Sequence, residues 1–267
     1  MALFLLLCIA LCAVATALRT VVVVGASGLT GREACHQALE AGYKVAALCR
    51  TPSKLLVPDR VGGGLGGKPF VSPNLLTVQG DVTNPSDVLR LFTAAGDEVV
   101  GTIVALGGKT KDVGPTMLQD GTKNVCETIK AVKAGKRISV VTSIGAGDSE
   151  NQAPFAFKVL MYTAMKSIFK DKNAQEANFL SADGAGHDLE WTIVRPGGLG
   201  VGEPTGIINV IDGQAGSIQR ADVASFALGA VVDENFPYLK KTPCISSTGG
   251  TGWKKQPELG FDSVKKA

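Results

Sequence analysis

Residues 21–31 read Val-Val-Val-Val-Gly-Ala-Ser-Gly-Leu-Thr-Gly. Gly25, Gly28 and Gly31 stand three apart, directly behind four β-branched residues. That order describes a buried strand that turns at once into a helix, and the chemistry it suits is the binding of a dinucleotide's phosphates. Gly25 permits the tight turn. Gly28 lets backbone N–H groups come close to a pyrophosphate, with Ser27, Leu29 and Thr30 completing the loop around it. Gly31 lets the helix pack hard against the strand. The helix start offers unpaired N–H groups and the positive end of its dipole to the same anion. With 33 glycines in the chain the triplet alone is weak; the strand before it and the amphipathic pattern over residues 32–41 after it give it weight.

The second group of candidate residues follows a strand expected over residues 43–48. An enzyme selective for NAD places an acid there to bond both ribose hydroxyls. Here the stretch is Cys49-Arg50-Thr51-Pro52-Ser53-Lys54, and Arg50 and Lys54 form a cationic fork that fits the 2′-phosphate of NADP. Further strand ends add to the site. Asp81-Val82 follows the third strand, where adenine would lie; Asp81 either accepts from the adenine amino group or caps the next helix. Ala105-Leu106-Gly107-Gly108 ends the fourth strand, where small residues let the backbone approach the nicotinamide ribose. Thr142-Ser143 ends the fifth; the Ser143 hydroxyl either points at the nicotinamide face or closes a local turn.

Composition excludes much else. The net charge of +3 gives no case for nucleic acid. The two histidines, His36 and His187, and the cysteines Cys35, Cys49, Cys126 and Cys244 form no Cys-x-x-Cys pair or dyad, so no metal site is expected. The Gly-rich run ending Gly67-Lys68 has P-loop spacing, but Pro69 stands where the metal-binding hydroxyl is required and no strand precedes it. It reads as an inserted loop. Gly108-Lys109-Thr110 lacks that motif's first glycine, because Ile103 holds its place.

Residues 1–17 are almost wholly apolar and end Ala15-Thr16-Ala17. They fit a cleaved signal peptide, with an uncleaved anchor as the alternative. The expectation is entry into the secretory pathway, to the ER lumen or to an organelle reached through it, such as a plastid. Membrane association is expected only through these residues.

The elements that must position the site alternate strand and helix: strands over residues 74–79, 99–106, 136–142 and 191–194, with helices over 84–95, 115–134, 153–183 and 219–232. The long helix is expected to break near residues 170–173, and the sixth strand to stop at Arg195-Pro196-Gly197-Gly198. Successive βα units imply a Rossmann-type α/β fold: one doubly wound parallel sheet with helices on both faces, as a single domain over residues 18–267 with substrate-pocket elements toward the C-terminus. The ligand belongs at the carboxyl ends of strands one and four.

These segments, with Thr192-Ile-Val-Arg195-Pro196-Gly197 and Arg220-Ala-Asp222-Val, occur in an order that resembles the atypical short-chain dehydrogenase/reductase superfamily. The resemblance is to its NAD(P)-binding, NmrA-like group, typified by biliverdin-IXβ reductase and flavin reductase, and it covers residues 20–248. It implies NADP held by the glycine turn, Arg50 and Lys54, with Leu106, Gly107, Gly108 and Pro196 beside the cofactor and Ser143 lining the nicotinamide pocket. The segment between Ser143 and Glu176 is longer than in that type. It carries Tyr162-Thr-Ala-Met-Lys166, which matches the superfamily's proton-donating tyrosine and its lysine. It also carries Lys172-Asn-Ala-Gln-Glu176, which fits the group's lysine-bearing helix. Tyr162/Lys166 and Lys172 compete for one place. The resemblance implies an NADPH-dependent reductase passing hydride to a small, planar conjugated acceptor: a flavin, quinone or tetrapyrrole. The alternative it leaves open is a non-enzymatic NADP-sensing or assembly module, with the cleft filled by side chains of residues 155–169.

Overall fold

A computed structural model describes residues 19–108 and 113–249; the expected leader at 1–17 and Lys109 lie outside the described residues. The chain runs β1 (Thr20–Val24), α1 (Leu29–Glu40), β2 (Lys44–Cys49), β3 (Leu75–Gln79), α2 (Pro85–Ala95), β4 (Val99–Val104), α3 (Met117–Val132), β5 (Arg137–Val141), α4 (Phe155–Tyr162), α5 (Lys166–Leu180), β6 (Glu190–Pro196), β7 (Gly198–Gly200), β8 (Asn209–Ile211), β9 (Ser217–Gln219), α6 (Arg220–Val232) and β10 (Cys244–Ser246). The main sheet has the order β3-β2-β1-β4-β5-β6-β10-β8, and β7 pairs with β9 apart from it. From β3 to β10 neighbouring strands are parallel, and β8 closes the edge antiparallel. This is the doubly wound arrangement, with its reversal of strand order between β1 and β4.

The four valines of β1 are explained by the layers around them. Val21 and Val23 pack into a core with Ala34, Cys35 and Ala38 of α1 and with the apolar residues of α6. Val22 and Val24 pack into the opposite core with Val88, Leu91 and Phe92 of α2, Val125 and Ile129 of α3, and Phe179 of α5. A strand covered on both faces has no wet side, so it reads as a continuous apolar run rather than an alternating one. Helix α2 has a local start: the Asn84 side chain accepts from the Ser86 N–H, Pro85 follows, and Gly96 ends the helix at φ 78°.

Three expectations are corrected. The long helix breaks at Thr163–Met165, between α4 and α5, and not at 170–173. Thr163 turns its hydroxyl onto the Val159 carbonyl, 2.7 Å, and its backbone leaves helical geometry at ψ −95°. Strand β6 runs through Arg195 to Pro196 rather than stopping before them, because the Arg195 and Gly197 N–H groups donate to Pro243 and Ile245. The short strands β7 to β10 were not anticipated. The Gly-rich insertion between β2 and β3 is a loop, as expected. Its ends meet where Leu56 pairs with Pro69, and the Val57 N–H donates to the Lys68 carbonyl at 2.8 Å. Arg60 ties it to Glu33 of α1, at 2.7 and 2.8 Å, and reaches Glu203 at 3.4 Å. Among the described residues no helix is long and apolar enough to cross a membrane.

Candidate functional site

The carboxyl ends of β1, β2, β4 and β5 border a cleft of about 440 Å³. Gly25, Ser27, Gly28, Leu29 and Thr30 form its floor at β1, and Arg50, Asp81, Val82, Leu106, Gly107, Thr142 and Lys172 also line it. The glycine turn can be tested for fit to a dinucleotide by asking what a side chain would meet. At Gly25, φ +82°, a Cβ would lie 2.5 Å from the Ala105 carbonyl oxygen, so the turn is pressed against the end of β4. At Gly31 a Cβ would lie 2.2 Å from the Gly25 oxygen, so the helix packs directly under the turn. At Gly28 the nearest atoms are at 3.2 and 3.8 Å, and a larger side chain would grow into the cleft. No side chain caps the start of α1 and no acid occupies its first turn, which leaves its N–H groups and positive end to the cleft. The cradle fits a pyrophosphate.

At the β2 end Arg50 lines the cleft, whereas Lys54 lies exposed in the 3₁₀ turn Pro52–Lys54 and does not. Asp81 accepts from the Thr83 N–H at 2.9 Å and hydroxyl at 2.7 Å. Partial burial works to raise its pKa, but these bonds and the nearby Arg50 charge outweigh it and hold the carboxyl below its ordinary value. Asp81 therefore closes a local turn onto Thr83 while still facing the cleft; the cap of α2 is Asn84.

The β5 end is built from α5. Lys172 Nζ donates to the Thr142 carbonyl at 3.0 Å. Burial lowers its pKa to about 8, against the opposing pull of the Glu176 and Asp171 carboxylates. Asp171 accepts from the Leu118 and Gln119 N–H groups, both at 2.9 Å, and so caps α3 from a distant part of the chain. Glu176 accepts from the Thr142 hydroxyl at 2.8 Å and grips Arg195 through both oxygens, at 3.1 and 2.6 Å. Arg195, only 2% exposed, also holds Asp148 at 2.6 Å. One helix thus fixes the ends of β5 and β6 and the start of α3, and presents one ammonium group to the cleft.

The other expected positions fall elsewhere. Tyr162 and Lys166 do not share a helical turn, because the break at Thr163–Met165 separates them; neither lines the cleft. Tyr162 is 58% exposed and hydrogen-bonds Glu150, whose carboxylate raises the phenol's pKa. Ser143 donates to the adjacent Ile144 carbonyl at 3.0 Å. Gly108, at φ +155°, sits against Val113, and Pro196 is buried at the end of β6. Burial pushes the Cys126 thiol up to about 12 and Cys244 up to about 11, which leaves both protonated near neutral pH. Among the described residues no acid, histidine and cysteine cluster could hold a metal. Sequence reasoning missed Arg220, which lines the cleft. The available signal was a cation at the first residue of a helix, where the dipole disfavours it.

Residues 25–234 match the NAD(P)H-binding family, and the chain belongs to it. It is similar to "Reductase pytE" of Aspergillus terreus, 29% identical over 204 residues, which cover 66% of this chain and 74% of that protein. It is also similar to an uncharacterized chloroplastic protein of Arabidopsis thaliana, 27% identical over 227 residues, covering 81% and 73%. Among solved structures it resembles the anaerobillin reductase ChuY of Escherichia coli O157:H7. The TM-score there is 0.62 and the identity 25%, covering 85% of this chain and 97% of that one. Fold, family and reductase relatives together define a nicotinamide-dependent oxidoreductase.

Proposed function

We propose that the protein is an NADPH-dependent reductase that passes hydride to a small, planar conjugated acceptor of the flavin, quinone or linear tetrapyrrole kind. The observation that carries this reading is one cleft with the glycine turn at one end and Lys172 beside Thr142 at the other. The bound cofactor would supply the hydride. The chain's own contribution is positioning and electrostatics. Gly25 and Gly28 give the pyrophosphate room at the start of α1. Arg50, which lines the cleft, meets the 2′-phosphate, and Lys54, exposed on the turn that follows, adds its charge from outside the lining. Lys172, steadied by Thr142, orients the ribose and favours negative charge near the reacting face. Likeness to ChuY supports an acceptor of extended conjugation. A sensor could have its cleft filled from residues 155–169, and none of these lines the cleft.

The test is NADPH oxidation against a panel of flavins, quinones and linear tetrapyrroles, with calorimetric titration of both cofactors. Arg50→Met should weaken NADPH by about 1.5–3 kcal/mol and NADH little, the value of a charge-assisted bond. Equal losses for the two cofactors would remove the case for NADP, and a silent panel would favour the sensor.

A further inference from the structure

We infer that Arg220 is a side-chain ligand of the dinucleotide's pyrophosphate, gripping it from α6 while the glycine turn holds it from α1. This rests on the dinucleotide reading of the cleft and assigns a residue that neither the glycine motif nor the strand ends point to.

Arg220 is a cation in an unfavourable place. It opens α6, where its charge opposes the helix dipole. It is half-buried, and burial lowers its pKa. Three of the other arginines drawn into the structure are paired with acids, Arg60 with Glu33, Arg137 with Glu190, and Arg195 with Glu176 and Asp148, while the half-buried Arg32 donates to the Ser27 carbonyl at 3.1 Å. Among the described residues Arg220 has no carboxylate within ion-pair distance. The acid in its own first turn, Asp222, is engaged by the Thr205 and Gly206 N–H groups at 3.0 Å. A cation desolvated without a counter-charge is costly unless an anion arrives to meet it.

The side chain is nonetheless held. Its Nη1 donates to the carbonyls of Leu199, 3.1 Å, and Gly200, 3.0 Å. Both belong to β7, which is fixed by its pairing with β9 immediately before Arg220. These bonds use Nη1 and leave the Nε and Nη2 edge of the guanidinium for a phosphate, which a planar fork can grip through two bonds. Arg220 lines the same cleft as Ser27, Gly28, Leu29 and Thr30. Helix α6 packs along α1, where the Gln37 side-chain amide donates to the Ala221 carbonyl at 2.8 Å. Arg220 is thus tied to the helix that carries the turn, while Lys172 comes from α5 on the other face of the sheet. The dinucleotide group that lies over the start of α1 is the pyrophosphate.

The experiment separates the two anionic parts of the cofactor. Wild type, Arg220→Gln, Arg220→Lys and Arg50→Met are titrated with NADP⁺, with ADP (a pyrophosphate and no 2′-phosphate) and with 2′-AMP (a 2′-phosphate and no pyrophosphate). Thermal melts run alongside. Gln keeps an amide donor for the Leu199 and Gly200 carbonyls, and Lys keeps the charge. Arg220→Gln should weaken NADP⁺ and ADP by about tenfold or more and leave 2′-AMP unchanged. Arg220→Lys should recover part of the loss, and Arg50→Met should weaken NADP⁺ and 2′-AMP and leave ADP unchanged. A folded Arg220→Gln that binds ADP as wild type does overturns the assignment. So does a loss confined to 2′-AMP, which would move Arg220 to the other phosphate. A wild type that binds neither NADP⁺ nor ADP overturns the dinucleotide reading itself.

Discussion

At the β1 end of the cleft the working atoms belong to the backbone: helix-start N–H groups, a turn at φ +82°, and glycines pressed to within 2.2–2.5 Å of what a Cβ would occupy. At the β5 end they belong to side chains. Thr142, Lys172, Glu176, Arg195 and Asp148 form a chain of hydrogen bonds and ion pairs between 2.6 and 3.1 Å. The first end is shaped by removing atoms from a short contiguous stretch. The second is assembled from groups up to 53 residues apart, once Asp171's caps on α3 are included. At Gly28 the backbone end has little to lose in stability when its function is blocked, although Gly25 and Gly31 have no room for a Cβ, whereas the side-chain end binds function and folding into one network.

The comparison is tested most severely at Glu176. Glu176→Ala leaves Arg195 buried against Asp148 alone and should cost about 3–5 kcal/mol in urea unfolding. Replacing both partners, Glu176→Leu with Arg195→Met, should restore much of that stability while leaving Lys172 with Asp171 as its remaining acidic neighbour. A single variant as stable as wild type would show that the network carries no structural weight.

Gly28→Val probes the other end and should do the opposite. Its Cβ would lie 3.2 Å from the Gly25 carbonyl oxygen, a tight contact relieved by a shift of a few tenths of an ångström, so the melting temperature should fall little beside the loss of binding. NADPH affinity should fall at least about a hundredfold, about 2.8 kcal/mol. A variant that melts early would mean that the turn, too, is structural at this position.

The next effect is a pH dependence. Lys172 is lowered from 10.5 to about 8, so between these values the unfolded chain binds more protons than the folded one. Its contribution to stability therefore rises as pH climbs from about 8 to 10.5. Over the lower part of that window the ammonium is lost, and NADPH affinity should weaken several-fold as pH passes 8. Lys172→Met should abolish both trends; affinity that still falls through the same pH would assign the titration to another group.

The smallest effect is expected at Tyr162. Exposed and bonded to Glu150, it should tolerate Tyr162→Phe with less than about a twofold change in turnover. A loss of about 10²–10⁴-fold would restore the Tyr/Lys proton-transfer mechanism.

The same contrast explains what could be read in the sequence. The glycine turn, β1 and the strand order up to β6 depend on contiguous patterns, and they were legible. Lys170-Asp171-Lys172-Asn173, where the sequence suggests a break, is polar throughout. It stays helical because Asp171 and Lys172 find partners on α3 and β5, about 50 and 30 residues away. The true break, at Thr163, turns on one hydroxyl bonding back to Val159. Strands β7, β8, β9 and β10 have three residues each, too few for a period to show. Arg220 was visible as a residue, but its significance lay in the carboxylate it lacks.

The Leu56 and Pro69 pairing that closes the Gly-rich insertion has a practical consequence. The strain of a longer segment would not reach the sheet, because the loop's stem is already joined and Arg60 pins it to α1. At Gly62 and Gly63 there is nothing within 4 Å to displace. Doubling the length of a flexible loop costs only about 0.6 kcal/mol. Residues 62–64 are therefore where this chain would accommodate a foreign peptide, an epitope or a fluorescent reporter, with the cleft left as it is.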